Sequence, residues 1–237
     1  MLRVFISGLS KGSGKSLITA GLAATMQSLS YSTGVFKPIR TGTVLSENTS
    51  GINLIKKCDP HIAAKVLYSL SNPVSPFVGA YEDNVTIDIN EIYSEYRLFS
   101  DKLDCCFVEG GNSISSPIAQ DLSEVDIVKV LNIPLVFVVN PCKNSVDEVL
   151  MALSYIKANK IPLLGVIINK YEEMSENTEI KYFPQIVKEL SGIKVLGCLP
   201  DYGEISLLDP GVLISDILNE LNLEELFGVK IAKLDEA

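Results

Sequence analysis

Histidine is almost absent from this chain of 237 residues: there is one, His61, beside Asp59 and Pro60. No nucleophile-elbow pattern accompanies it, so hydrolysis by a Ser, His and Asp triad is set aside and His61 is given no catalytic role. Basic residues are also short, with 20 Lys and Arg against 29 Asp and Glu and a formal charge of −9. A field of that sign repels nucleic acid and anionic membrane, and neither partner is expected beyond a local basic patch. No stretch reaches the roughly 18 consecutive apolar residues of a membrane span, and the first residues run straight into a strand-like segment without a charged leader and cleavage site. A cytoplasmic protein is expected. The five cysteines, Cys58, Cys105, Cys106, Cys142 and Cys198, are odd in number and lack paired metal-ligand spacing. They read as small core residues rather than redox or metal groups.

What the chain does contain is concentrated near its start. Gly8-Leu-Ser-Lys-Gly-Ser-Gly-Lys-Ser16 follows the apolar run Leu2 to Ile6 and precedes an apolar stretch from Leu17, which reads as strand, glycine loop, helix. Glycines let backbone N–H groups close around phosphate oxygens, a helix N-terminus adds partial positive charge, and a lysine reaches the outer phosphates. The expected cradle is Gly12, Ser13, Gly14, Lys15, Ser16 and Leu17, with Lys15 on the outer phosphates and Ser16 on magnesium. The spacing between Gly8 and Gly14 is one residue longer than the common G-x-x-x-x-G-K-[ST] pattern, so Gly12 has to share the turn.

Downstream, Gly34 to Pro38 reads as a second strand ended by its proline. Apolar runs recur at Asp104 to Val108, Pro134 to Val139, Leu163 to Ile168 and Lys194 to Leu199, separated by stretches of helical spacing that include Ile87 to Phe99. Strands such as Leu135 to Val139 are apolar throughout, as in a parallel sheet covered on both faces. The fold class expected is α/β: a doubly wound, mostly parallel sheet with helices on both faces, of the P-loop NTPase type. One domain is expected over residues 1–237, with a last helix at Leu213 to Leu226 and a frayed tail over 227–237. The polar stretch Gly42 to Asn53 reads as a mobile loop at the mouth of the site.

Ligands of such sheets gather at the carboxyl ends of the strands, which picks out further residues. Lys37, Arg40 and Thr41 follow the second strand, and the turn expected there would face a triphosphate; at such a position Lys37 is either catalytic or an ordinary solvated lysine. Glu109 ends the third apolar strand. It is either a magnesium ligand opposite Ser16, since phosphate-bound magnesium takes only one or two carboxylates, or a salt-bridged or capping glutamate. Asn169 ends a buried strand and carries an amide suited to a purine edge, with adenine favoured, or is a plain turn residue. Pro200 and Asp201, after the last strand, would wall the base pocket.

These residues together resemble dethiobiotin synthetases, nearly end to end. The resemblance rests on Gly14-Lys-Ser16, Phe36-Lys-Pro-Ile-Arg-Thr-Gly42, Val108-Glu-Gly110 with Ser116-Pro117, Asn169, and Gly197 to Pro200. It implies an ATP-dependent cyclo-ligase with ATP and Mg2+, acting on a diamine and CO2 to close a cyclic urea, as a homodimer with its substrate site at the subunit interface. It also implies Lys15 and Lys37 as catalytic cations, Thr41 as a carbamate or substrate contact, and Ser16 and Glu109 as metal ligands. Where the family has a second magnesium aspartate this chain has Asn53, with Glu47 as the other candidate. The Thr-Asp-Thr-Glu-Val run of the family's phosphate loop is Leu9-Ser-Lys-Gly-Ser13 here, and its Gly-Ala-Gly-Gly is Gly110-Gly-Asn-Ser113. The same motifs suit a nucleotide-binding regulatory module like the N-terminal domain of some phosphotransacetylases. They also suit the ATP-binding half of cobyrinic acid amidases, although the chain is too short for a glutaminase domain. A partitioning ATPase would need a lysine where Ser10 stands.

Overall fold

Seven parallel strands run side by side in the order β3-β2-β4-β1-β7-β8-β9, and β1 sits in the middle. The computed structural model describes residues 1–42 and 51–228. In chain order the elements are β1 (Leu2–Gly8), α1 (Lys15–Ser28), β2 (Thr33–Thr41), α2 (Gly51–Cys58), β3 (Ala63–Leu70), α3 (Pro76–Glu82), α4 (Ile89–Ser100), β4 (Cys105–Glu109), β5 (Pro117–Ala119), β6 (Leu122–Ser123), α5 (Glu124–Leu131), β7 (Leu135–Val139), α6 (Val146–Ala158), β8 (Leu163–Asn169), α7 (Thr178–Ser191), β9 (Val195–Leu199), α8 (Pro210–Glu220) and α9 (Leu223–Phe227). β5 and β6 form a small antiparallel ribbon of their own.

Side chains alternate across a strand, so a sheet buried on both faces carries two cores. Val4 and Ile6 of β1 pack with Leu17, Ile18 and Leu22 of α1 and with Leu213 and Ile217 of α8. Phe5 points the other way, into a second core with Val128 of α5, Val149 of α6 and Val187 of α7. Short polar side chains start the helices by accepting otherwise orphaned N–H groups. Ser123 and Ser145 each complete a capping box, with Asp126 and Glu148, and Asp209 caps α8 ahead of Pro210.

Several expectations are corrected. β2 does not stop at Pro38 but runs to Thr41, so Arg40 and Thr41 are strand residues opposite Ser69 and Leu70 rather than turn residues. The β3 ladder pairs Lys37 with Val66 and Ile39 with Tyr68, while pairing with β4 has already ended at Phe36; on that side the missing proline N–H breaks no ladder bond. β3 itself escapes the apolar-run reading because it is the edge strand, and its residues are mostly half-exposed. The last helix is two, α8 and α9, separated at Leu221 and Asn222. Phe227, assigned to a frayed tail, ends α9 with its ring edge-on to Phe107 at 6.2 Å. Cys142 is exposed and Cys58 and Cys198 half-buried, leaving Cys105 and Cys106 as the fully core thiols.

Candidate nucleotide site

The loop between β1 and α1 lies at the carboxyl end of the central strand, where the chain winds outward in both directions. Its turn is closed from within by Ser13, whose N–H and hydroxyl both donate to Ser10 O, at 3.3 and 2.5 Å. Gly14 has φ +101°, and a Cβ there would fall 1.9 Å from Asn169 Nδ2. A side chain at 14 meets both a disfavoured backbone and a neighbour already in its place. Lys15 and Ser16 then open α1 with their side chains on the ligand side, while Leu17 turns into the core and has only its backbone N–H to offer a phosphate.

Two strand ends brace this loop with three amides. Asn169, at the end of β8, donates from Nδ2 to Ser13 O at 3.1 Å. Asn140 and Asn144, just after β7, donate to Gly12 O and Ser10 Oγ, both at 3.4 Å. All three asparagines are buried. Asn169 thus gives one of its two N–H groups to the loop, and its Oδ1 is buried without a hydrogen-bond partner among the described residues. An unpaired buried acceptor is costly and fits an incoming N–H donor. Sequence reasoning missed Asn140 and Asn144; their position immediately past an all-apolar strand was the available signal.

The cations gather here. Lys15 is buried, and its Nζ donates to Ser10 O at 3.0 Å and Asn112 O at 2.6 Å. Burial pushes its ammonium below the ordinary lysine value; the carboxylates of Glu124 and Glu109 oppose this, and Lys37 adds to it. Lys37 donates to Glu109 Oε1 at 2.6 Å, with side-chain exposures of 13% and 2%, so neither is a surface group. The same Oε1 accepts the Ser16 hydroxyl at 2.6 Å. Gly51, first in α2, backs onto this pair: a Cβ there would lie 3.1 Å from Ser16 Oγ and 3.5 Å from Glu109 Oε2. A further lysine, unnoticed in the sequence, is Lys143, whose Nζ lies 2.6 Å from where a Cβ on Gly12 would be.

A serine hydroxyl and a carboxylate beside a phosphate loop are hard oxygen donors, the set magnesium prefers when phosphates supply other positions. No group of three or more His, Cys, Asp or Glu residues that could hold a metal occurs among the described residues. Asn53 lies in the first turn of α2, two residues past Gly51, whereas Glu47 and most of the expected loop at Gly42 to Asn53 fall outside the described residues. Thr41 is the last residue of β2, four positions beyond Lys37. Asp201 is exposed after β9, held by Lys170 at 2.8 and 3.0 Å, and the hydrogen bonds from that ammonium keep its carboxyl below the usual range. Pro200, beside it, is exposed as well. His61 is exposed next to Asp59, away from these groups, and Cys142 sits at the rim with Sγ 3.7 Å from Lys170 O.

A family model described as an AAA domain matches residues 2–206. The chain belongs to that family. The AAA-domain family includes dethiobiotin synthetase. An ATP-dependent dethiobiotin synthetase, BioD, of Bacillus subtilis subsp. natto is 25% identical over 228 residues, which cover 95% of this chain and 98% of that protein. BioD of Bacillus cereus (strain B4264) is 28% identical over 199 residues, 83% of this chain and 82% of the relative. Among solved structures, the cell division ATPase MinD of Pyrococcus furiosus superposes with a TM-score of 0.54 at 14% identity, covering 84% of each chain. Apo McdA of Cyanthece gives 0.56 at 14% identity, covering 90% of each. At that identity the likeness is one of fold: the doubly wound P-loop architecture is shared.

Proposed function

We propose that this chain is an ATP-dependent cyclo-ligase of the dethiobiotin synthetase type, closing a ureido ring from 7,8-diaminononanoate, CO2 and ATP. The observation that carries the reading is the single Glu109 oxygen shared by Lys37 and by Ser16, the residue that follows Lys15. That cluster joins a site for a metal-bound triphosphate to a lysine, held by Glu109, that would meet a second anion. The relatives named dethiobiotin synthetase, matched over nearly their whole length, add support.

In this reading the amine first takes up CO2 as a carbamate. A carbamate oxygen attacks the γ-phosphorus, ADP leaves, and the neighbouring amine then displaces phosphate from the resulting carbamic-phosphate anhydride to close the ring. Lys15 neutralises charge on the outer phosphates, and Lys37 neutralises the carbamate and holds it in line, with Thr41 beside it as a polar contact. Ser16 and Glu109 would hold Mg2+, which would supply positive charge against the triphosphate. Little covalent chemistry is asked of the protein, and catalysis lies in positioning and charge stabilisation. We infer a homodimer with the diamine bound between subunits.

The test is phosphate release from ATP in the presence of Mg2+. Release that requires both the diamine and bicarbonate supports the ligase. Nucleotide binding with no release under any combination points instead to a regulatory module.

A further inference from the structure

Beneath the loop that follows β4 lies a carboxylate with no place in the chemistry above. Glu124 is the first residue of α5, directly after the N-cap Ser123, and it is buried. Ser7 Oγ, near the end of β1, donates to its Oε1. The N–H of Gly111 donates to Oε2 at 2.7 Å, and the N–H of Asn112 is a further donor. The chain passes so close that a Cβ on Gly110 would fall 2.3 Å from Oε1, which leaves glycine as the residue that fits there. Burial pushes the Glu124 carboxyl above its ordinary range, opposed first by the nearby Lys15 and then by these donors. A buried carboxylate needs hydrogen-bond donors and a nearby opposite charge to be tolerated; Glu124 has the donors, and Lys15 stands near without touching it.

The next link is Asn112. Its N–H, in the peptide unit it shares with Gly111, turns toward Glu124, while its carbonyl, in the following unit, accepts Lys15 Nζ at 2.6 Å. Ile114 N donates to Gly8 O at 3.2 Å, which ties the far end of the same loop to the start of the phosphate loop. One side chain thus fixes a short backbone segment from one side, and that segment holds the ammonium from the other.

From this geometry we propose that Glu124 is a positioning residue for the phosphate site: by gripping Ser7 and the N–H groups of Gly111 and Asn112, it aims the Asn112 carbonyl at Lys15 and so sets where that ammonium stands when the outer phosphates arrive. Glu124 touches no phosphate itself. The inference rests on the nucleotide reading of the site.

The experiment is a ladder of affinities for AMP, ADP and ATP, measured by calorimetry with Mg2+, on the unaltered protein, Glu124→Gln, Lys15→Met and the double variant. An amide cannot accept from all the donors that the carboxylate serves, so Glu124→Gln is expected to weaken ATP by about tenfold, the worth of one charge-assisted hydrogen bond, and to leave AMP within about twofold. In the Lys15→Met background the same change is expected to leave the ATP-to-AMP ratio where Lys15→Met alone put it, because the effect passes through that ammonium. Ser7→Ala, which removes one donor and leaves the carboxylate in place, is expected to move the same ratio in the same direction by less, and decides the matter if Glu124→Gln does not fold. Equal weakening of AMP and ATP, or an undiminished effect in the Lys15→Met background, overturns the positioning role while leaving the nucleotide site standing. No binding of ATP to the unaltered protein overturns both.

Discussion

Lys37, midway along β2, meets Glu109, the last residue of β4, at 2.6 Å across two strands that lie side by side in the sheet, and the pair is closed further by the Ser16 hydroxyl. The contact has an energetic side as well as a chemical one. Removing one partner of a buried pair leaves an uncompensated charge, so Glu109→Gln is expected to destabilise the fold by about 3 kcal/mol, whereas adding Lys37→Met to it recovers most of that loss. Urea unfolding of the two variants measures this. In the presence of nucleotide, Glu109→Gln should also remove the dependence of ATP affinity on Mg2+. A stable single variant with unaltered Mg2+ dependence would show that Glu109 is neither half of an ion pair nor a metal ligand.

Lys143 stands over Gly12 from the loop after β7, on a molecule whose formal charge is −9. A partly solvated cation of this kind draws in anions over a distance set by salt. Lys143→Ala is expected to weaken ATP binding by a few-fold at low ionic strength and by little near 0.5 M salt, where the Debye length has fallen to roughly 4 Å. Titrations at the two salt concentrations decide it, and a salt-independent loss would assign Lys143 a direct phosphate bond instead.

Asn169 supplies a prediction that separates bracing from base reading. Its Nδ2 holds Ser13 O, so Asn169→Ala loosens the loop whatever base is bound. ATP and GTP affinities are expected to fall together, by about tenfold for a buried hydrogen bond lost with its partner left unpaired. A loss confined to ATP would make the amide a selector of adenine.

At the opposite end of the sheet, Arg3 donates to four backbone carbonyls, those of Leu2, Asp104, Ser100 and Leu103, at 2.8, 3.0, 2.6 and 2.9 Å. A planar guanidinium can serve several acceptors at once, which methionine of similar length cannot. Arg3→Met is expected to cost about 2 kcal/mol in denaturant unfolding with nucleotide affinity intact. Loss of binding without loss of stability would contradict the separation of this end from the site.

The thiols differ in reach. Burial raises Cys105 to about 11 and both Cys106 and Cys198 to about 12, far from the thiolate form at neutral pH, while Cys142 is exposed. A disulfide reagent at pH 8 should therefore modify Cys142 first and reach Cys105 and Cys106 only on unfolding. Mass spectrometry of the labelled peptides reads the order directly.

What could be read from residues alone was whatever rests on local pattern. Gly14-Lys-Ser16 carries its own chemistry, and five all-apolar or nearly all-apolar segments announced the buried strands, so the site residues at their ends followed from a rule about parallel sheets. The edge strand β3 was not legible, because half-exposed residues such as Lys65 and Tyr68 break the apolar run. Nor was the course of β2 past Pro38, where the absence of a neighbour, not the residue type, decides whether proline is tolerated. Asn140, Asn144, Lys143 and Glu124 were passed over for one reason: each acts on a segment distant in sequence, and a single polar residue in a loop or at a helix start has no periodicity to reveal its partner.

The space denied to position 14 by the Asn169 amide ties two ends of the molecule, 155 residues apart, into one evolutionary unit. A mutant library that varies either codon alone will sample mostly dead sequences on the glycine side, and members with a slack loop on the asparagine side. Redesign of the loop has to begin by shrinking residue 169, and only then does Gly14→Ala become a question of backbone strain alone.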